Sequence, residues 1–291
     1  MFYRIALPAV LLASLGNAQQ CSLDSIRGAW ASTAQATFMI TDPTTKQVTP
    51  TPAAILNVGT IDREGSFVGT TTGMLGGQPM VGTYKGAMQV NPDCTGTATG
   101  TVTFPGMPPM TMTERGIIQP DGTEIRAMST GPLGALGGVA GIEHFSRISW
   151  GVPQCTQEMV HGVYAATYEG TWIGVLPGQT QPAPYPYSQI GVAVFDYSGK
   201  GSGALTMSAG VASMDFDLSP VTVAVNADCT GTLNWAGSPR GMAAALTGTT
   251  QIVVLNNGDD LLELPMQTNS GPLMAIGTAK RISTVPVLPN W

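Results

Sequence analysis

The sequence predicts an all-β protein made of two tandem copies of a small antiparallel barrel, each of about eight strands. Three observations carry this. The segment from Cys21 to Ser149 returns, diverged but in the same order, from Cys155 to Ser283. Inside each copy, short runs of alternating apolar and polar residues are separated by turn residues, and no amphipathic helical pattern intervenes. Each copy also holds two cysteines at matching places, one at its start and one in an Asp-Cys-Thr-Gly turn.

The repeat sets the domain plan. Cys21-Ser-Leu-Asp-Ser-Ile-Arg-Gly-Ala-Trp30 answers to Cys155-Thr-Gln-Glu-Met-Val-His-Gly-Val-Tyr164, and Arg147-Ile-Ser149 answers to Arg281-Ile-Ser283. A repeat of this length is a whole domain, not a solenoid unit. We therefore expect a first barrel over 19–150 and a second over 151–291. Residues 1–18 read as a signal peptide: Arg4 supplies a positive start, an apolar run follows, and Gly16-Asn17-Ala18 offers small residues for cleavage. That run is too short for a membrane span, and no other stretch is long and apolar enough for a spanning helix.

In the first copy, strands are expected near 28–40, 53–62, 66–74, 80–91, 97–104, 110–119, 123–130 and 141–149. The fourth shows the two-residue period well, with Met80, Gly82, Tyr84, Gly86, Met88 and Val90 on one face. Turn chemistry separates the strands. Asp62-Arg-Glu-Gly65 and Asp196-Tyr-Ser-Gly199 end in glycine, and Pro120-Asp-Gly122 and Asn257-Gly258 are hairpin signals. A meander of this size hides its edges best by closing. The linker Trp150-Gly-Val-Pro-Gln154 is short enough that the barrels should touch. The Pro/Gly-rich stretches Thr41–Pro52, Pro105–Pro109 and Pro177–Pro186 are expected to be loops, some over a barrel mouth.

Only 10% of the residues are charged and the net charge is −6, with no basic patch. That argues against nucleic acid as a partner. The hydrophobic fraction of 43% argues against disorder. Four cysteines allow three pairings, and only Cys21–Cys94 with Cys155–Cys229 keeps the same bond within each copy. In the chain-entropy view each such loop closure adds about 4 kcal/mol. The signal segment implies a secreted or periplasmic protein, and export favours such disulfides.

The Cys…Gly-x-aromatic opening, the Phe195-Asp-x-x-Gly199-x-Gly-x-Gly203 hairpin, the Asn91-Pro-Asp-Cys-Thr-Gly-Thr97 and Asn226-Ala-Asp-Cys-Thr-Gly-Thr232 turns and the closing Gly277-Thr-Ala-Lys-Arg281 resemble one group. It consists of uncharacterised secreted bacterial proteins with a repeated "GTYTVNxDCTGT" segment. The second copy departs from it, with Ser219 where Tyr84 stands. The resemblance implies a lipocalin-like or allene-oxide-cyclase-like barrel and brings no activity with it.

Candidate chemistry is sparse. No Cys/His or Asp/His cluster has ligand spacing, so no metal or other cofactor is expected. Met107-x-x-Met110-x-Met112 has the soft thioethers that suit Cu(I), but without nearby His or Cys it reads as barrel filling. Gly199-Lys-Gly-Ser-Gly203 fits neither a P-loop nor a nucleophile elbow. His144 and Glu143 suggest an acid–base group with Glu114, Arg115 or Arg126; the second copy has Gly277 and Thr278 at the first two places, which implies loss of that charge. No catalytic residue is assigned. The candidate ligand-binding residues are aromatics on the inward face of each opening strand: Trp30 and Phe38 in the first copy, Tyr164, Tyr168 and Trp172 in the second. The expected function is a secreted tandem-barrel protein that binds a small apolar ligand or serves as an extracellular interaction module, with exposed Tyr185 and Tyr187 as candidates for surface recognition. The alternative is a barrel cyclase or isomerase.

Overall fold

The computed structural model describes residues 20–42, 44–131, 138–175, 179–210, 212–240 and 245–285. The signal segment expected over 1–18 lies outside them. The described residues form two closed antiparallel barrels of eight strands each. The first runs β1 (Gly28–Thr41), β2 (Val48–Ile61), β3 (Ser66–Leu75), β4 (Gln78–Val90), β5 (Thr95–Thr103), β6 (Met110–Ile118), β7 (Glu124–Ser129) and β8 (Val139–Ser149), closing through β1 on β8. The second runs β9 (Gly162–Gly174), β10 (Ala183–Phe195), β11 (Lys200–Ala209), β12 (Ala212–Val225), β13 (Thr230–Pro239), β14 (Leu246–Leu255), β15 (Asp260–Thr268) and β16 (Leu273–Ser283), closing through β9 on β16. Each strand pairs with its neighbours around the barrel, so no strand is left as a free edge.

Turn residues set the lower end of each barrel. Asp62 accepts from the backbone N–H of Glu64 and Ser66 at 3.0 and 2.8 Å, and Asp196 does the same for Ser198 and Lys200 at 2.8 and 3.0 Å. In the Asp-Cys-Thr-Gly turns, Asp93 and Asp228 accept from the N–H of Thr95 and Thr230, both at 3.0 Å. Cys94 and Cys229 take the left-handed conformation there, with φ of 66° and 67°. Both are disulfide-bonded, to Cys21 and Cys155, over sequence separations of 73 and 74.

Each bond holds a short 3-10 turn (Leu23–Ser25, Gln157–Met159) under the barrel, and the opening strand rises from it. Trp30 donates from its indole N–H to the Ile26 carbonyl at 2.6 Å, and Ile26 is fully buried. Arg147 donates to the carbonyls of Gly122 at 2.8 Å and Ser25 at 2.5 Å, and also to that of Arg27. Its guanidinium lies 4.3 Å from the Trp30 ring and 3.5 Å from that of Trp150. Barrel 2 repeats this floor. The Tyr164 hydroxyl donates to the Gly258 carbonyl, while Arg281 reaches the carbonyls of Met159 at 2.8 Å and Asn257 at 3.2 Å. One cation thus satisfies several turn carbonyls and stacks on the opening-strand aromatic.

The prolines at the upper end correct one expectation. Val48–Pro52 and Ala183–Pro186 belong to β2 and β10, not to loops. Pro50 and Pro52 pair only with β1, because β2 first meets β3 at Ala53; Pro184 and Pro186 pair only with β9, because β10 first meets β11 at Tyr187. A strand paired on one side has no use for the missing N–H on the other.

The barrels touch through their outer walls. Ala31, Ala54, Leu56 and Met74 of barrel 1 form one buried cluster with Val253, Leu255, Leu262, Leu264 and Met274 of barrel 2. Gln35 also donates to the Glu169 carbonyl across the seam. Each fully buried aliphatic here contributes about 1.5–3 kcal/mol.

Candidate functional site

The inward faces of both barrels leave a cavity between the floor and an apolar cluster at the upper mouth. In barrel 1 the cavity is about 120 Å³ and in barrel 2 about 90 Å³. The mouth clusters are Phe38, Ala53, Phe104 and Met110 in one and Tyr168, Tyr187, Ala209, Leu273 and Ala275 in the other.

In barrel 1, alternation on β6 and β8 points Glu114 and Glu143 into the cavity, where they hydrogen-bond to each other. Glu143 also accepts from the Asn57 amide at 2.6 Å and from the Ser32 hydroxyl. Burial raises both carboxyls, and Glu114 is pushed up further by the charge of its partner. The donors converge on Glu143, so of the two carboxyls Glu143 is the one whose ionised form is favoured and Glu114 the one that donates the shared proton. Tyr84 completes the layer; its ring lies against Gly59 and Gly69, where any side chain would clash, and burial first, then the negative charge shared by the Glu143–Glu114 pair, pushes its hydroxyl pKa up. The Ser129 hydroxyl, on the strand position paired with Glu114, is buried without a hydrogen-bond partner.

His144 does not join this group. It follows Glu143 on the same strand and therefore points outward, as Arg115 does after Glu114; Arg126 is also exposed. Of the acid–base group suggested by the sequence, the barrel brings together only the two carboxyls.

In barrel 2 the acidic group is not lost but moved. Gly277 stands where Glu143 stands, yet the strand opposite supplies Glu263. Ala127 pairs with Glu143 in barrel 1, and Glu263 pairs with Gly277 in barrel 2. The expectation of a second copy without the acid is thereby corrected. Glu263 is 2% exposed, and among the described residues no hydrogen bond or ion pair engages its carboxyl. Burial alone pushes its pKa up to about 8. The Tyr168 ring lies against Gly277, directly beside it.

The aromatics named from the sequence distribute as follows. Tyr164, Tyr168 and Trp172 line the barrel 2 cavity from floor to mouth, and Phe38 lines the barrel 1 cavity. Trp30 sits in the floor, packed with Ile26 and Arg147. Tyr187, expected on the surface, is 6% exposed and faces the cavity, where its hydroxyl donates to Gln189. Tyr185 packs on Trp172 with ring centres 5.9 Å apart. Of the three methionines, Met110 and Met112 line the barrel 1 cavity while Met107 is exposed, so the three do not converge on one point.

Sequence reasoning missed Glu263, Ser32, Asn57 and the role of Tyr84. Glu263 had a signal: an acid in the apolar strand Leu261-Leu-Glu-Leu264 on the same face as Leu261, a core position. Ser32 and Asn57 had none, since small polar residues recur on both faces of these strands.

Among the described residues no cluster of three or more His, Cys, Asp or Glu side chains could hold a metal ion, and no helix is long and apolar enough to cross a membrane. The two disulfides point to an oxidising compartment, extracellular or periplasmic. No family model matches the chain, and no curated protein matches it. Among solved structures, a mutant of the Rh. blastica porin is 9% identical, with 88% of this chain and 99% of the porin covered and a TM-score of 0.21. The beta domain of the Bordetella autotransporter Brka is 12% identical, with 89% and 99% covered and a TM-score of 0.18. Likenesses this slight carry no argument about fold or function.

Proposed function

We propose that this is an exported two-barrel binding protein whose barrel interiors each take one small, mostly apolar molecule with a polar group. One observation carries the reading: both barrels keep a buried carboxyl at the same level of the cavity, from different strands. Burying a carboxyl costs several kcal/mol unless it is paired. A barrel that only had to be filled would hold an aliphatic side chain there. The test is titration of the disulfide-intact protein with a neutral probe such as 2-phenylethanol, followed by calorimetry. Binding is expected, and it should be lost when Ala36→Leu and Ala166→Leu together fill the two cavities without unfolding the barrels. No heat of binding, or binding unchanged by the filling substitutions, would contradict the reading.

A second reading rests on barrel 1 alone. Glu143 as base, Glu114 as acid and Tyr84 as a hydrogen-bond donor surround one cavity, and carboxyls pushed to different protonation states suit proton transfer. Glu143 would take a proton from one carbon of a bound unsaturated ketone and Glu114 would return one to another, as in an isomerisation or cyclisation. Deuterium incorporation from heavy water into such a ketone tests it. Loss of incorporation in Glu143→Gln but not in Glu263→Gln is the expected result.

A further inference from the structure

We propose that barrel 2 is specific for a small apolar amine, held as its ammonium ion against Glu263. This rests on the binding reading above and names the ligand class for one of the two cavities.

Four observations lead to it. Glu263 lines the cavity and has no partner among the described residues, while its counterpart in barrel 1 is already engaged by Ser32, Asn57 and Glu114. No Lys, Arg or His lines the barrel 2 cavity among the described residues, so no protein cation competes for it. The walls are aromatic: Tyr164, Tyr168, Trp172, Tyr187, Phe216 and Trp235 all face the space. Ring faces attract a cation and give an anion nothing. The Tyr168 ring lies against Gly277, the residue paired with Glu263, so the carboxyl and an aromatic ring flank one spot.

The surroundings of Glu263 are otherwise neutral. From β14 it faces Ile252 and Thr250, from β16 Gly277, and from β9 Tyr168 and Tyr164. Tyr164 and Tyr187 already donate to Gly258 and Gln189, and burial keeps both protonated. In the floor, Arg281 is held by the carbonyls of Met159, Asn257 and Gly258 and by Asp259, and Asp260 is bonded to Asn256. None of these supplies a cation to Glu263.

The exchange of charge balances. In the empty barrel the Glu263 carboxyl is protonated at neutral pH. When an ammonium ion enters, the carboxyl O–H breaks and its proton leaves to solvent. The nitrogen keeps its three hydrogens and pairs with the carboxylate. One proton is therefore released for each amine bound, and affinity climbs with pH until the empty carboxyl is itself ionised.

The experiment compares three probes of one shape on the full, disulfide-intact chain: phenethylamine, 2-phenylethanol and phenylacetate. Calorimetry in two buffers of different ionisation heat, at about pH 6.5, counts the protons. The amine should bind at least about tenfold more tightly than the alcohol, phenylacetate should not bind, and about one proton should be released. Amine affinity should rise about tenfold between roughly pH 6 and 7 and level off above about 8. Glu263→Gln should abolish the proton release and the preference for amine while alcohol still binds; Glu263→Ala, checked for folding by its denaturation midpoint, should do the same. Equal binding of amine and alcohol, no proton release, or a preference that survives both substitutions would overturn the inference and leave the binding reading standing. Failure of all three probes to bind would overturn both.

Discussion

The two barrels share a floor, a strand order and a carboxyl at one level, yet they treat that carboxyl in opposite ways. Glu143 sits in a polar layer, bonded by Ser32, Asn57 and Glu114. Glu263 sits among aromatic rings and aliphatic side chains, with no partner for its carboxyl among the described residues. The carboxyl has crossed from β8 to the β7 equivalent, trading places with a small residue, Ala127 in one copy and Gly277 in the other. Directly paired residues of an antiparallel sheet project from neighbouring points on one face. A barrel can therefore keep a group at one place in its interior while changing the strand that carries it. The duplication preserved a location and let the partners of that location diverge, which is how one fold comes to offer two different cavities.

The outer walls diverged as well. Barrel 2 meets barrel 1 through Val253, Leu262, Leu264 and Ile276, whose counterparts Ile117, Arg126, Met128 and Ile142 on barrel 1 face solvent. Barrel 1 meets barrel 2 through Ala54, Leu56 and Met74, whose counterparts in barrel 2 are Ser188, Ile190 and Ser208. The contact is head-to-tail, and such a contact can propagate unless the free faces are altered. Arg126, Ser188 and Ser208 provide that alteration.

Substitutions at matched positions can break this comparison. The largest effect is expected in the aromatics. Trp30→Ala should cost about 3–5 kcal/mol, because it removes a floor side chain that is 3% exposed and stacked by Arg147. Trp172→Ala, at the mouth, should cost about 1 kcal/mol and act mainly on probe binding in barrel 2. Urea unfolding of both variants measures the difference, and equal costs would show that Trp172 is structural.

Next come the two acids. Glu143→Leu strands the Ser32, Asn57 and Glu114 donors and should lower stability by about 1–3 kcal/mol. Glu263→Leu removes a group with nothing to lose and should be neutral or stabilising at pH 7. Opposite signs in the two denaturation midpoints would support the contrast between the interiors.

A smaller effect per step is the pH dependence. Glu263 has a folded pKa raised to about 8, above its unfolded value of 4.5, so the folded chain binds the extra proton between those limits. Stability contributed at this site is present at low pH and declines as pH rises through that window, by at most about 1.4 kcal/mol per unit, levelling above about 8. Glu263→Gln should flatten that part of the profile. The buried Glu114 adds a slope of the same sign, which the substitution leaves in place. A profile identical in the two proteins would place the Glu263 carboxyl in contact with water.

The smallest effect on stability should come from Arg126→Leu, within about 0.5 kcal/mol because the site is exposed. Its readout is association. The change restores an apolar wall like that of Leu262, and sedimentation should then detect dimers or larger species. A strictly monomeric variant would mean that the free face of barrel 1 is blocked by something other than Arg126.

Much of the architecture is set locally and was legible in the chain. The repeat, the period of two, the Asp-x-x-Gly and Asp-Cys-Thr-Gly turns and the cysteine places are short-range features, and together they specify two eight-stranded barrels with one disulfide in each. Alternation also decided which aromatics face inward, and Tyr164, Tyr168 and Trp172 lie on the face it assigned. The candidate site was far less legible, because its parts are distant in sequence and meet only when the barrel closes. Glu114 finds Glu143, and Asn57 and Ser32 reach that same carboxyl, across the interior. The swap of Glu263 for Glu143 looks like a loss of charge until the register sets Gly277 opposite Glu263. Periodicity tells a side chain which face it occupies. Only closure and register decide what it meets there, since both depend on pairing strands that the sequence places far apart.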